Sequence, residues 1–144
     1  MAKKLFLAGI LACFFSQAIF AQVTPEKLVG TWGLVGFDMK AQNKNGALTE
    51  QESQTVLMMQ QALKQKPKFM RLTFSADGSF QSEPDAYKDK AGKPTWELKG
   101  DVVLIKINKK VIERYYARLA SNGWLELKAV KSKIAIPIMS LEKD

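Results

Sequence analysis

The sequence predicts an all-β domain: an eight-stranded antiparallel up-and-down barrel with one α-helix between the first and second strands. Three observations carry that expectation. Apolar residues recur at alternate positions in eight short runs. Three junctions between runs are two-residue turn signals, Asp77-Gly78, Gly100-Asp101 and Asn122-Gly123. The one long stretch of helical periodicity falls directly after the first run.

The chain begins with a leader. Lys3 and Lys4 precede an apolar run over 5–15, and small residues follow as far as Ala21. This order reads as a secretory signal peptide cut after Ala21, leaving 22–144 as a single domain. The apolar run is shorter than the ~18 residues a spanning helix needs. Ile10, Leu11 and Ala12 before Cys13 loosely resemble a lipobox. Leu11 fits that motif poorly and the residues after Cys13 stay apolar, so lipoprotein anchoring is the weaker alternative. The expected location is therefore outside the cytoplasm, in a periplasm or the medium. Cys13 is the only cysteine, so the mature domain is held by burial and hydrogen bonding without a disulfide.

Thr24 and Pro25 start a short helix that ends at Gly30. The first strand covers 31–39, and a polar loop with Asn45 and Gly46 follows. Thr49 caps the main helix, with Glu52 three residues on as its capping-box partner. That helix runs over 49–66 and stops at Pro67. Val56, Met59 and Leu63 mark its apolar face, and Met58 with Met59 gives it the pliable surface of a lid. The remaining strands are 69–75, 79–82, 95–99, 102–107, 111–119, 124–130 and 134–141, with a polar, lysine-rich loop over 83–94. Alternation pairs Trp32 with Leu34, Leu72 with Phe74, Trp96 with Leu98, and Leu125 with Leu127. Ile134, Ile136 and Ile138 share one face of the last strand. Pro137, which lacks an amide donor, marks an edge or a bulge.

These residues together resemble a bacterial lipocalin-like domain, a calycin-type β-barrel. The likeness rests on 28–32 with its Gly-x-Trp entry, on Phe74, Asp77, Gly78 and Phe80, and on Trp96, Leu98, Gly100 and Asp101. It spans essentially all of the mature chain. The resemblance implies a barrel whose Trp32 plugs the closed end, with ligand entering at the other. The chain departs from animal lipocalins in ending right after its eighth strand. Its helix sits where fatty-acid-binding proteins place their helical lid.

Composition excludes much chemistry. With no histidine, the commonest general base and metal ligand are absent. No Gly-x-Ser-x-Gly elbow occurs, so the expectation is a protein that is not an enzyme and carries no cofactor. Glu83, Asp85 and Asp89, with Asp77, read as a solvated loop, because Lys88 and Lys90 would oppose a calcium ion. Loss of Lys3 and Lys4 lowers the formal charge from +8 to +6. The lysines are dispersed and only three arginines occur, which argues against nucleic-acid binding and is compatible with loose contact with an anionic membrane surface.

The expected function is reversible binding of a small apolar or amphipathic molecule inside the barrel. The alternative is an interaction or inhibitory domain with a filled barrel, acting through its basic rim and loops. Candidate ligand contacts are Arg114, Tyr116, Arg118, Met58, Met59 and Trp96. Arg114-x-Tyr116, with Arg118 on the same face, resembles the carboxylate-gripping pair of fatty-acid-binding proteins. The opposite face, with Glu113, Tyr115, Ala117 and Leu119, is at least as apolar, and the plainer reading leaves Arg114, Tyr116 and Arg118 in solvent.

Overall fold

The structure, a computed structural model, describes residues 21–144. The expected leader, including Cys13, lies outside the described residues apart from Ala21. A one-turn helix α1 (Pro25–Leu28) leads into β1 (Gly30–Lys40), and α2 (Glu50–Gln65) follows. Seven further strands complete the chain: β2 (Arg71–Phe74), β3 (Phe80–Glu83), β4 (Pro94–Lys99), β5 (Val102–Ile107), β6 (Lys110–Leu119), β7 (Leu125–Ala129) and β8 (Ile136–Lys143).

All paired strands are antiparallel, and the sheet order is β3-β2-β1-β8-β7-β6-β5-β4. Chain neighbours are thus sheet neighbours, with β1 against β8 closing the meander. The remaining seam, between β3 and β4, has no ladder. One bridge, Ser79 to Thr95, and one bond, from Trp96 N–H to the Gly78 carbonyl at 2.9 Å, tie it. The result is a nearly closed eight-stranded barrel.

Two bulges decide which side chains face in. Between Leu34 and Gly36 the β1–β8 register shifts by one residue. Trp32 and Leu34 therefore face inward before the shift, and Phe37 and Met39 after it. On β8, Leu141, Met139 and Pro137 lie opposite Leu34, Phe37 and Met39. Ile136 and Ile138 consequently face outward, and Ile134 stands in the preceding loop, 54% exposed. Pro137 falls just past Lys128–Ile138, the last β7–β8 pair, so its missing amide costs no ladder bond there. The second bulge, on β6, places Glu113 opposite Ile105 and Val111 opposite Lys106, leaving Ile112 as the extra residue.

The barrel ends differ. At one end lie the turns 75–79, 100–101 and 120–124 together with α1; at the other emerge the connections 41–70, 84–93, 108–109 and 130–135. At the turn end Trp32 is 2% exposed, and its Nε1 donates to the Leu28 carbonyl at 2.8 Å. Lys143 caps the ring from outside, 5.3 Å from its centroid. Gly33 permits a close approach on the outer wall: a Cβ there would stand 2.5 Å from the Lys68 side chain. Lys68 crosses at that point to reach Asp144 at 2.9 Å, and Arg71 reaches the same carboxylate at 3.1 Å.

The capping box of α2 forms as the sequence predicts, with Glu52 N–H donating to Thr49 Oγ1 and Thr49 N–H donating to Glu52 Oε2. The other Glu52 oxygen accepts from Ala135 N–H at 2.9 Å, pinning the helix start to the β7–β8 connection. Val56 and Leu63 are the buried anchors of this helix, and Met59 packs beside them.

Candidate functional site

Toward the turn end aromatic rings fill the interior. Phe74 contacts Phe80 at 5.1 Å between ring centroids and meets Trp96 edge-on at 5.4 Å. Trp96 donates its indole N–H to the Ser75 carbonyl at 2.9 Å, so this residue closes the β3–β4 seam from within. Phe80 continues the aromatic run to Tyr87 at 6.0 Å. Tyr87 comes from the 84–93 connection, yet it is buried.

A polar group interrupts the apolar interior at this point. The Tyr87 and Tyr115 hydroxyls both donate to Glu113 Oε2, each at 2.8 Å. Burial, then the hydrogen bond to Glu113, pushes the Tyr87 hydroxyl well above its ordinary pKa. Burial and the neighbouring Glu113 charge do the same for Tyr115. Both phenols therefore stay protonated as donors across the physiological range. Glu113 Oε1 accepts no hydrogen bond from the described residues, and no described cation forms a salt bridge with this carboxylate.

The β6 bulge and strand length explain this placement. β7 ends at Ala129, opposite Tyr115, whereas β6 continues to Lys110. The notch left beside the longer strand is a pocket of about 440 Å³, lined by Ile112, Glu113, Arg114, Tyr115, Ala129, Val130 and Lys131. That size suits one small ligand. Apolar surface comes from Ile112, Ala129 and Val130, the carboxylate from Glu113, and two cations stand on Arg114 and Lys131.

The sequence-predicted contacts divide. Arg114, Tyr116 and Arg118 are on the outer face, with Tyr116 45% exposed and Arg118 held by both Glu126 oxygens at 2.9 and 3.0 Å. They do not reach the barrel interior, because strand parity gives that side to Glu113, Tyr115, Ala117 and Leu119. Arg114 still borders the rim pocket. Met58 points to solvent, whereas Met59 and Trp96 pack against the core. Sequence reasoning missed Tyr87 and passed over Glu113 and Tyr115 as site residues. The available signal was a single acid on the otherwise apolar face of β6.

Compared with known proteins, the chain matches no family model, no curated protein and no solved structure.

Proposed function

We propose that this chain is an exported, lipocalin-like binding protein that holds a small amphipathic molecule at the helix-covered end of its barrel. The observation that carries the reading is Glu113: an inward carboxylate, fixed by two tyrosines through one oxygen, bordering a ligand-sized pocket with its other oxygen bonded to none of the described residues. A head group that donates a hydrogen bond satisfies that oxygen. A hydroxyl or amide suits it better than an ammonium ion, because Arg114 and Lys131 stand on the same pocket. A carboxylate head would meet like charge at Glu113. The apolar body of the ligand lies against Ile112, Ala129 and Val130.

Competition for an environment-sensitive apolar probe tests this reading. Dodecan-1-ol should displace the probe at lower concentration than dodecanoate, and Glu113→Gln should abolish the difference. Equal displacement by both in the parent would overturn the head-group assignment. Absence of saturable probe binding would overturn the container itself. The aromatic packing of Phe74, Phe80, Trp96 and Tyr87 favours a second reading in that event: a filled barrel acting as an interaction domain through its basic rim.

A further inference from the structure

Most of the excess positive charge sits at one end of the barrel. The connections at the helix-covered end, 41–70, 84–93, 108–109 and 130–135, contain four acids and nine lysines besides Lys68, which lies along the outer wall and pairs with Asp144. The turns and terminal segments at the other end, 22–29, 75–79, 100–101, 120–124 and 144, contain one lysine and four acids, and Lys99 and Lys143 at the adjoining strand ends bring that end close to neutral. Up-and-down topology produces this separation: lysines scattered along the sequence are gathered at one end because alternate connections emerge there. The formal excess of positive charge is therefore polarised along the barrel axis.

The same end exposes large apolar side chains. Leu57 is 51% exposed, Met58 64% and Ile134 54%. Leu57 and Met58 belong to the outward side of α2, whose other exposed residues from Gln54 onward are Gln54 itself, Gln60, Gln61, Lys64 and Gln65. No acid occurs in α2 after Glu52. The Glu52–Ala135 bond holds the start of this helix beside the segment bearing Ile134, Lys131 and Lys133. Uncompensated aliphatic side chains amid lysines have two complementary surroundings in an anionic bilayer: headgroup phosphates for the ammonium groups and the upper acyl region for the apolar tips.

We infer that the helix-covered end docks onto an anionic phospholipid surface, with Leu57, Met58 and Ile134 entering the interface and the surrounding lysines engaging headgroups. The mouth of the barrel then faces the lipid, and the turn end faces away. This docking does not depend on the ligand assigned to Glu113.

Flotation of the mature protein with vesicles tests the inference. Binding to phosphatidylcholine vesicles containing one-third phosphatidylglycerol should exceed binding to pure phosphatidylcholine by at least tenfold, and should fall as salt rises. Lys131→Glu with Lys133→Glu should weaken binding about fivefold or more for each site. Leu57→Gln with Met58→Gln should weaken binding to the anionic vesicles severalfold while leaving the urea midpoint within error of the parent. Equal binding to both vesicle types, or none to the anionic ones at low salt, would overturn the inference. Dextran sulfate serves as a soluble polyanion: if it binds as tightly as the vesicles, and the Leu57/Met58 double variant binds vesicles like the parent, the surface recognises polyanions and the membrane assignment fails.

Discussion

Replacing Trp32 tests whether the closed end of the barrel is built as described. The side chain is 98% removed from solvent, and a tryptophan buries about 200 Å². At about 25 cal/mol per Å² that burial is worth roughly 5 kcal/mol as an upper bound. Truncation also leaves the Leu28 carbonyl without its indole donor, an unsatisfied buried group costing about 1–3 kcal/mol. Partial collapse and water entry at the barrel end offset some of both, so Trp32→Ala should cost about 3–5 kcal/mol, the range for large aromatic truncations. Trp32→Phe keeps most of the ring volume and loses the donor, and should cost about 1–2 kcal/mol. With a urea slope of about 1.5 kcal/mol per M, the midpoints should fall by about 2–3 M and about 1 M respectively. If the alanine variant does not fold, the phenylalanine variant still reports the hydrogen bond. A shift under about 0.5 M for alanine would refute the plug, and an unchanged midpoint for phenylalanine would refute the role given to the Leu28 bond.

Thr49→Ala should destabilise the protein by about 1 kcal/mol through loss of the α2 cap, read from the same urea curves. Backbone N–H groups of Thr49 and then Ala135 hold the Glu52 carboxyl below its ordinary value of 4.5. A lowered folded pKa stabilises above about pH 4.5 and fades as pH falls through the folded value, so the advantage of the parent over Glu52→Gln should shrink between pH 6 and pH 3. An undiminished advantage at pH 3 would contradict this. Amides of 50–65 should exchange faster than those of β5 and β6, since only Val56 and Leu63 of this helix are buried; equal protection would show that α2 opens only with the barrel. Arg118→Ala should change stability by less than about 1 kcal/mol, because its pairing with Glu126 is partly exposed to solvent. The same variant should leave ligand displacement unaltered, and a changed displacement curve would return Arg118 to the site.

Local signals in the sequence determined the elements. Thr49 and Glu52 specify a helix start by their own reciprocal hydrogen bonds, and Asp77-Gly78, Gly100-Asp101 and Asn122-Gly123 specify tight turns through positive φ at glycine. Alternation of Leu125 with Leu127 and of Val103 with Ile105 gave the inner faces correctly, because no extra residue falls within those stretches; the bulge beside β5 inserts its residue on β6. Where a bulge intervenes, alternation in one strand carries no information about the extra residue. The shift at Val35 belongs to the pairing of β1 with β8 and turns Phe37 and Met39 inward. The register set by that pairing sends Ile136 and Ile138 outward although their composition suits a core. The site depends still more on tertiary structure. Arg114 and Tyr116 had the chemistry of a head-group clamp, but β-sheet parity put them outside and left Glu113 within. Tyr87 lies 26 residues from Glu113 in sequence, in a polar loop whose composition indicates solvent. Only the folding of that loop over the unpaired β3–β4 seam brings its hydroxyl to the carboxylate. Lysine content was legible from the sequence, but its polarity was not, because which connections share an end follows from the order in which strands pair.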